Sequence, residues 1–121
     1  MAGVLVDTCG WIAFVKSGLN LDSAMSNVIG KPDLIVIDSV WKELDDLSRG
    51  KRGLLLGLLK SRSEIMDDPP GERHTDMMLV RLSKMNNWPV LTVDTRLKEK
   101  LSESGCSYIE VVSDRMLRLV D

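Results

Sequence analysis

Aromatic side chains are scarce in this chain, with one Phe, one Tyr and three Trp among 121 residues. That excludes a platform of exposed rings on which nucleic-acid bases could stack. Cysteine is limited to Cys9 and Cys106, too few for a disulfide framework or a thiolate zinc site, and both read as reduced thiols of a cytoplasmic protein. Histidine occurs once, at His74, so no paired-His metal site can be built. Long apolar runs are absent as well. The longest, "GLLLGLL" from Gly53, falls far short of the ~20 residues that cross a bilayer, so no membrane association is expected. The N-terminus has no basic region, long apolar stretch or small-residue cleavage site, and a signal peptide is not expected. Charge is nearly balanced at -2, whereas a nucleic-acid binder is usually basic.

What is present is enough for a core. A hydrophobic content of 44% in 121 residues is consistent with one domain, residues 1–121. Short apolar runs at 3–6, 34–37, 90–93 and 108–112, with a weaker one at 64–66, read as strands. Helical patterns lie between them at 8–16, 21–29, 40–48, 54–62, 76–87 and 96–104. Continuous apolar strands alternating with helices imply a parallel sheet covered on both faces. The expected fold is α/β, a three-layer α/β/α sandwich around a central, mostly parallel sheet.

Two of these strands finish on a carboxylate: "GVLVDT" ends on Asp7 and "PVLTVDTRL" on Asp94. In open α/β sheets ligands bind outside the carboxyl ends of the strands, so these acids can converge although they are far apart in sequence. Each also stands where an Asp would cap a helix. For Asp38, in "LIVIDSV", capping is the better reading. In "DSVWKELDDL" the stripe Val40, Leu44, Leu47 marks a buried helix face. Glu43 flanks that face at about 60°, while Asp45 points away. In "GERHTDMMLVRLSKMNN" the buried stripe is Met78, Leu82 and Met85 with Leu79 beside it. Thr75 is a candidate cap, and Asp76 falls in the first turn. His74 reads as an exposed loop residue.

The order and spacing of these segments resemble the PIN domain, a fold of metal-dependent ribonucleases. The resemblance covers nearly the whole chain, through "VLVDTCGWI", "VIDSVWKEL", "HTDMMLVRLSK" and "VLTVDTRLKEKLSESGCSYIEV". The last stretch is most similar to single-domain archaeal relatives of small-subunit rRNA-processing PIN nucleases, and less so to the VapC toxins. Where the family commonly has Asn two residues after the first acid, Cys9 stands here. Where many members have Asn before the fourth acid, this chain has Val93.

The resemblance implies that Asp7, Glu43, Asp76 and Asp94 are the catalytic, metal-holding acids, with Thr8 and Thr92 as supporting hydroxyls. Crowded carboxylates repel one another unless cations neutralise them. An all-oxygen donor set selects hard ions, Mg²⁺ or Mn²⁺. The implied reaction is hydrolysis of RNA phosphodiester bonds by in-line attack of an activated water, leaving a 5′-phosphate and a 3′-hydroxyl. The candidate RNA-binding residues are Arg49, Lys51 and Arg52 in "SRGKRG" and Arg96, Lys98 and Lys100 in "TRLKEK". A metal-dependent endoribonuclease with a role in rRNA processing is the leading expectation. A non-catalytic RNA- or ribosome-binding module and a VapC-type toxin ribonuclease are the alternatives. An Asp-based phosphotransfer fold would need a strand ending in Lys, which this chain lacks. The RNA target, the protein partner and the oligomeric state, a homodimer included, are left open by the sequence.

Overall fold

A computed structural model describes residues 3–48, 55–113 and 116–121. The candidate basic residues Arg49, Lys51 and Arg52 lie outside the described residues. Twelve elements follow in the order β1 (Gly3–Val6), α1 (Thr8–Ser17), α2 (Leu21–Ser26), β2 (Asp33–Ile37), α3 (Asp38–Ser48), α4 (Leu56–Arg62), β3 (Ser63–Met66), α5 (Thr75–Asn86), β4 (Val90–Leu91), α6 (Thr95–Glu103), β5 (Tyr108–Val112) and β6 (Met116–Val120).

The strands form one sheet in the order β3-β2-β1-β4-β5-β6. All neighbours run parallel except β5 and β6, which pair antiparallel from Tyr108↔Val120 to Val112↔Met116. This is a mostly parallel α/β sheet flanked by helices, as the sequence pattern leads one to expect. Residues of β1, β2 and β4 are buried on both faces, including Val4, Leu5, Val6, Ile35, Val36, Ile37, Val90 and Leu91. Trp11 and Phe14 on α1 stack with ring centroids 5.4 Å apart within the same core.

The chain runs outward from β1 through β2 to β3, then crosses back to β4 and proceeds to β5. The strand order therefore reverses between β1 and β4. At such a reversal the connections leave the carboxyl ends of neighbouring strands in opposite directions and open a crevice. Helix α1 starts directly beside it. A Cβ added at Gly10 would lie 2.1 Å from the Leu91 carbonyl oxygen, so only glycine lets the first turn of α1 press against the end of β4. At the far end of α1, Gly18 takes a left-handed φ of 71° and its N–H donates to the Val15 carbonyl.

Several local expectations are corrected. The strand expected at 90–93 is only two residues long, Val90–Leu91, although the Thr92 N–H still donates to the Ile109 carbonyl at 3.0 Å. β6 is an added edge strand, and its period-two alternation, with Leu117 buried between exposed Met116 and Arg118, is the signal for it. Leu47 and Met85 were expected on buried stripes but are 43% and 69% exposed. Both sit in the last turn of their helices. Periodicity identifies a helix face, not how far the sheet extends beneath it. Among the described residues no helix is long and apolar enough to cross a membrane.

Candidate active site

Asp7 is the residue that turns β1 into α1. It is only 7% exposed, and its N–H donates to the Leu91 carbonyl at 3.0 Å, tying the end of β1 to the end of β4. Its carboxyl oxygen Oδ2 accepts from the Thr92 hydroxyl at 2.8 Å and from the Cys9 thiol at 3.1 Å. The Thr92 hydroxyl in turn accepts the Asp94 N–H at 3.1 Å. One fully buried threonine thus joins the ends of both strands and their acids.

Glu43 reaches the crevice from α3. Its Oε2 accepts from the Thr8 hydroxyl at 3.2 Å, although the residue as a whole is exposed. Asp76, in the first turn of α5, is half-buried and close enough for its charge to act on Asp7. The four expected acids therefore come from β1, α3, α5 and the β4–α6 junction to one end of the sheet.

They are not equivalent there. Burial pushes the Asp7 carboxyl above the ordinary carboxylate range. The Cys9, Thr92 and Thr8 N–H donors oppose that shift, and the charge of Asp76 adds to it. Desolvation is thus a larger influence on Asp7 than the repulsion expected of crowded acids. Asp94 caps α6: its Oδ1 accepts the Arg96 N–H at 2.9 Å and the Leu97 N–H at 3.4 Å. The capping reading is thus realised at Asp94. It is not realised at Asp38, which lies inside the first turn of α3. The residue holding that end of α3 is Asp68, whose carboxylate accepts the Ser39 N–H at 2.9 Å and the Ser39 hydroxyl. Asp68 lies 29 positions further on in sequence, so only the β2–β3 pairing brings it near. Nothing local could have announced it.

Cys9 occupies the place where the family resemblance leads one to expect an Asn. Its thiol donates to Asp7 and lies 3.5 Å from the Thr92 hydroxyl, so a hydrogen-bond donor to the first acid is retained. Burial and the Asp7 charge raise its pKa, which keeps it a neutral thiol.

The basic candidates divide. Arg96 is exposed at the start of α6. Lys98 turns to Glu110 at 2.6 Å and lies over the Tyr108 ring, 5.5 Å from its centroid. Lys100 places its ammonium 3.6 Å from Asp76 Oδ2. His74 precedes α5 and makes no side-chain cap bond. It lines a pocket of about 450 Å³ with Thr75, Asp76, Met77 and Lys100.

Residues 4–115 match the family described as PIN like domain. The chain belongs to the PIN-like domain family. Its fold is similar to that in a solved structure described as that of the PIN domain endonuclease Utp24. The TM-score is 0.79 at 20% identity, over 98% of this chain and 93% of that one. No curated protein matches the chain in sequence. At the crevice between β1 and β4, Thr92 and Cys9 donate to Asp7, and Thr8 donates to Glu43.

The donor set suits a hard divalent ion. It consists of carboxylate oxygens, one of them buried, and among the described residues no Lys, Arg or His pairs with Asp7. As placed, however, no three Asp, Glu, His or Cys side chains among the described residues stand close enough together to hold an ion. Asp7 is the fixed member. Glu43, Asp76 and Asp94 are exposed or half-buried, so their rotamers can change without repacking the core.

Proposed function

We propose that this protein is a divalent-metal-dependent endoribonuclease whose site is the crevice holding Asp7, Glu43, Asp76 and Asp94. One observation carries the reading: Asp7 is a buried carboxyl at the strand reversal, without a basic side-chain partner among the described residues and with Asp76 acting on it. A charge so placed is costly unless a cation compensates it. The PIN-like family and the resemblance to a PIN domain endonuclease support the same reading.

Asp7 is the anchor ligand for Mg²⁺ or Mn²⁺, held in orientation by Thr92 and Cys9. Glu43, positioned by Thr8, together with Asp76 and Asp94, completes an oxygen donor set from three other elements. The bound ions supply a Lewis acid and an activated water for hydrolysis of an RNA phosphodiester. Arg96, exposed beside Asp94, is placed to hold the strand's phosphates near the acids. A role in rRNA processing is supported only by the sequence resemblance of residues 90–111 to rRNA-processing PIN nucleases. Residues 1–121 act as a single PIN-like domain in this proposal.

The test is cleavage of single-stranded and structured RNA with Mg²⁺ or Mn²⁺, with a chelator, and by Asp94→Asn. Cleavage should require the ion and disappear in the variant, because an amide is a poor ligand for a hard cation. Cleavage that survives in Asp94→Asn would remove the site from this crevice. RNA binding without cleavage across several substrates would favour a non-catalytic module.

A further inference from the structure

Among the described residues, four contacts join a basic side chain to a carboxylate within 4 Å. Only one of them involves an acid of the crevice, the 3.6 Å approach of Lys100 to Asp76. Lys98, two positions earlier on α6, is tied to Glu110 and is largely covered. Lys100 leaves the other side of the helix and meets the start of α5 across the His74–Lys100 pocket of about 450 Å³. Its side chain is 44% exposed and that of Asp76 34%, so the pair is wet and its partners can separate. A lysine ammonium is a compact charge on a flexible stem and can leave one position for another at little cost.

We infer that Lys100 is the resting counter-cation of Asp76, competing with the divalent ion for that carboxylate and setting the ion concentration at which the crevice fills. The inference rests on the proposed metal site. In the ion-free protein the ammonium offsets part of the charge that Asp76 presents to Asp7. An ion held by Asp76 would take the place of the ammonium, which would have the neighbouring pocket to move into. Lys100 is a positioning residue: it acts on the rotamer and charge of Asp76 and need not touch the reacting atoms. The exchange is local to one carboxylate. It requires no movement of α5 or α6, which pack against each other.

The test is Mn²⁺ binding by calorimetry at low salt, for wild type, Lys100→Met, Lys100→Arg and Lys84→Met. Lys84 is an exposed lysine on α5 that reports the effect of net charge alone. Lys100→Met should bind Mn²⁺ about threefold to fivefold more tightly, the scale of one exposed ion pair. Lys100→Arg and Lys84→Met should match wild type, and 0.5 M KCl should narrow the gap as screening weakens the competition. Equal affinity in Lys100→Met and wild type would overturn this inference while leaving the metal site standing. A gain in Lys84→Met as large as that in Lys100→Met would also overturn it, because a general field would then account for both. Wild type that binds no Mn²⁺ would overturn both this inference and the proposed function.

Discussion

Asp7 and Glu110 are both 7% exposed, yet their surroundings drive them in opposite directions. Glu110, on β5, accepts from Lys98 at 2.6 Å and from the Arg118 Nε at 2.8 Å, with Arg118 Nη2 also bonded to it. The Lys98 bond is the largest cause holding its pKa below the usual carboxylate range, with Arg118 reinforcing it against burial. Among the described residues Asp7 receives neutral donors only, and burial holds its pKa above that range. The protein thus supplies its own cations where an acid is structural. At the strand reversal no described residue supplies one to Asp7. Helix α6 stands between the two regions, capped by Asp94, with Lys98 serving Glu110 and Lys100 reaching Asp76.

The largest effect expected from this contrast is on activity. Asp7→Asn should lower metal-dependent RNA cleavage by more than about a hundredfold, the upper end of what losing an outer-shell partner of a metal costs. Glu110→Gln should leave cleavage per folded molecule near the wild-type rate. Comparable losses in both variants, measured on samples matched for folded fraction, would erase the distinction between the two acids.

Stability should show the reverse ranking. Glu110→Gln removes the charge that Lys98 and Arg118 both bind and should cost roughly 2 kcal/mol in urea unfolding. Asp7→Asn should raise metal-free stability by roughly 1 kcal/mol, or about 4 °C in Tm. The same variant should lose the thermal shift that Mn²⁺ gives wild type. If Asp7→Asn destabilises the metal-free protein and keeps that shift, Asp7 is a structural acid like Glu110.

The fold was legible because its evidence is local. Apolar runs of strand length, broken by helical stripes, lie at nearly every element found, and the acids at the ends of β1 and β4 follow directly. Thr8 and Thr92 were within reach for the same reason, being neighbours of those acids in sequence. Other features depend on contacts between distant segments. Asp68 meets Ser39 only after β2 and β3 pair, Lys98 is diverted by Glu110 across α6 and β5, and Gly10 is required only because Leu91 lies beneath it. The exposure of Leu47 and Met85 depends on where the sheet ends, which helical periodicity does not encode.

A smaller effect should appear with pH. Folding raises the Asp7 pKa, so its contribution to stability is fully present below about pH 3.8 and is lost as pH rises through the raised folded value. Folding lowers the Glu110 pKa, so its contribution is present above about pH 4.5 and is lost as pH falls through the lowered value. On acidification from pH 7, the stability gap between wild type and Asp7→Asn should close from below, and that between wild type and Glu110→Gln from above. Unfolding curves at several pH values would show it, and two gaps moving in the same direction would contradict it. The smallest effect belongs to Asp45→Asn. That residue is exposed on α3, and the substitution should alter cleavage and stability by no more than about 0.5 kcal/mol.

A divalent ion is the proposed cation beside Asp7, to which no described residue supplies one. Crystals soaked in Mn²⁺ and measured for anomalous scattering test it most directly. A peak is expected about 2.0–2.3 Å from an Asp7 carboxyl oxygen, with side chains of Glu43, Asp76 or Asp94 turned toward it. A crevice without a peak at Mn²⁺ concentrations that fill other sites on the protein would contradict it.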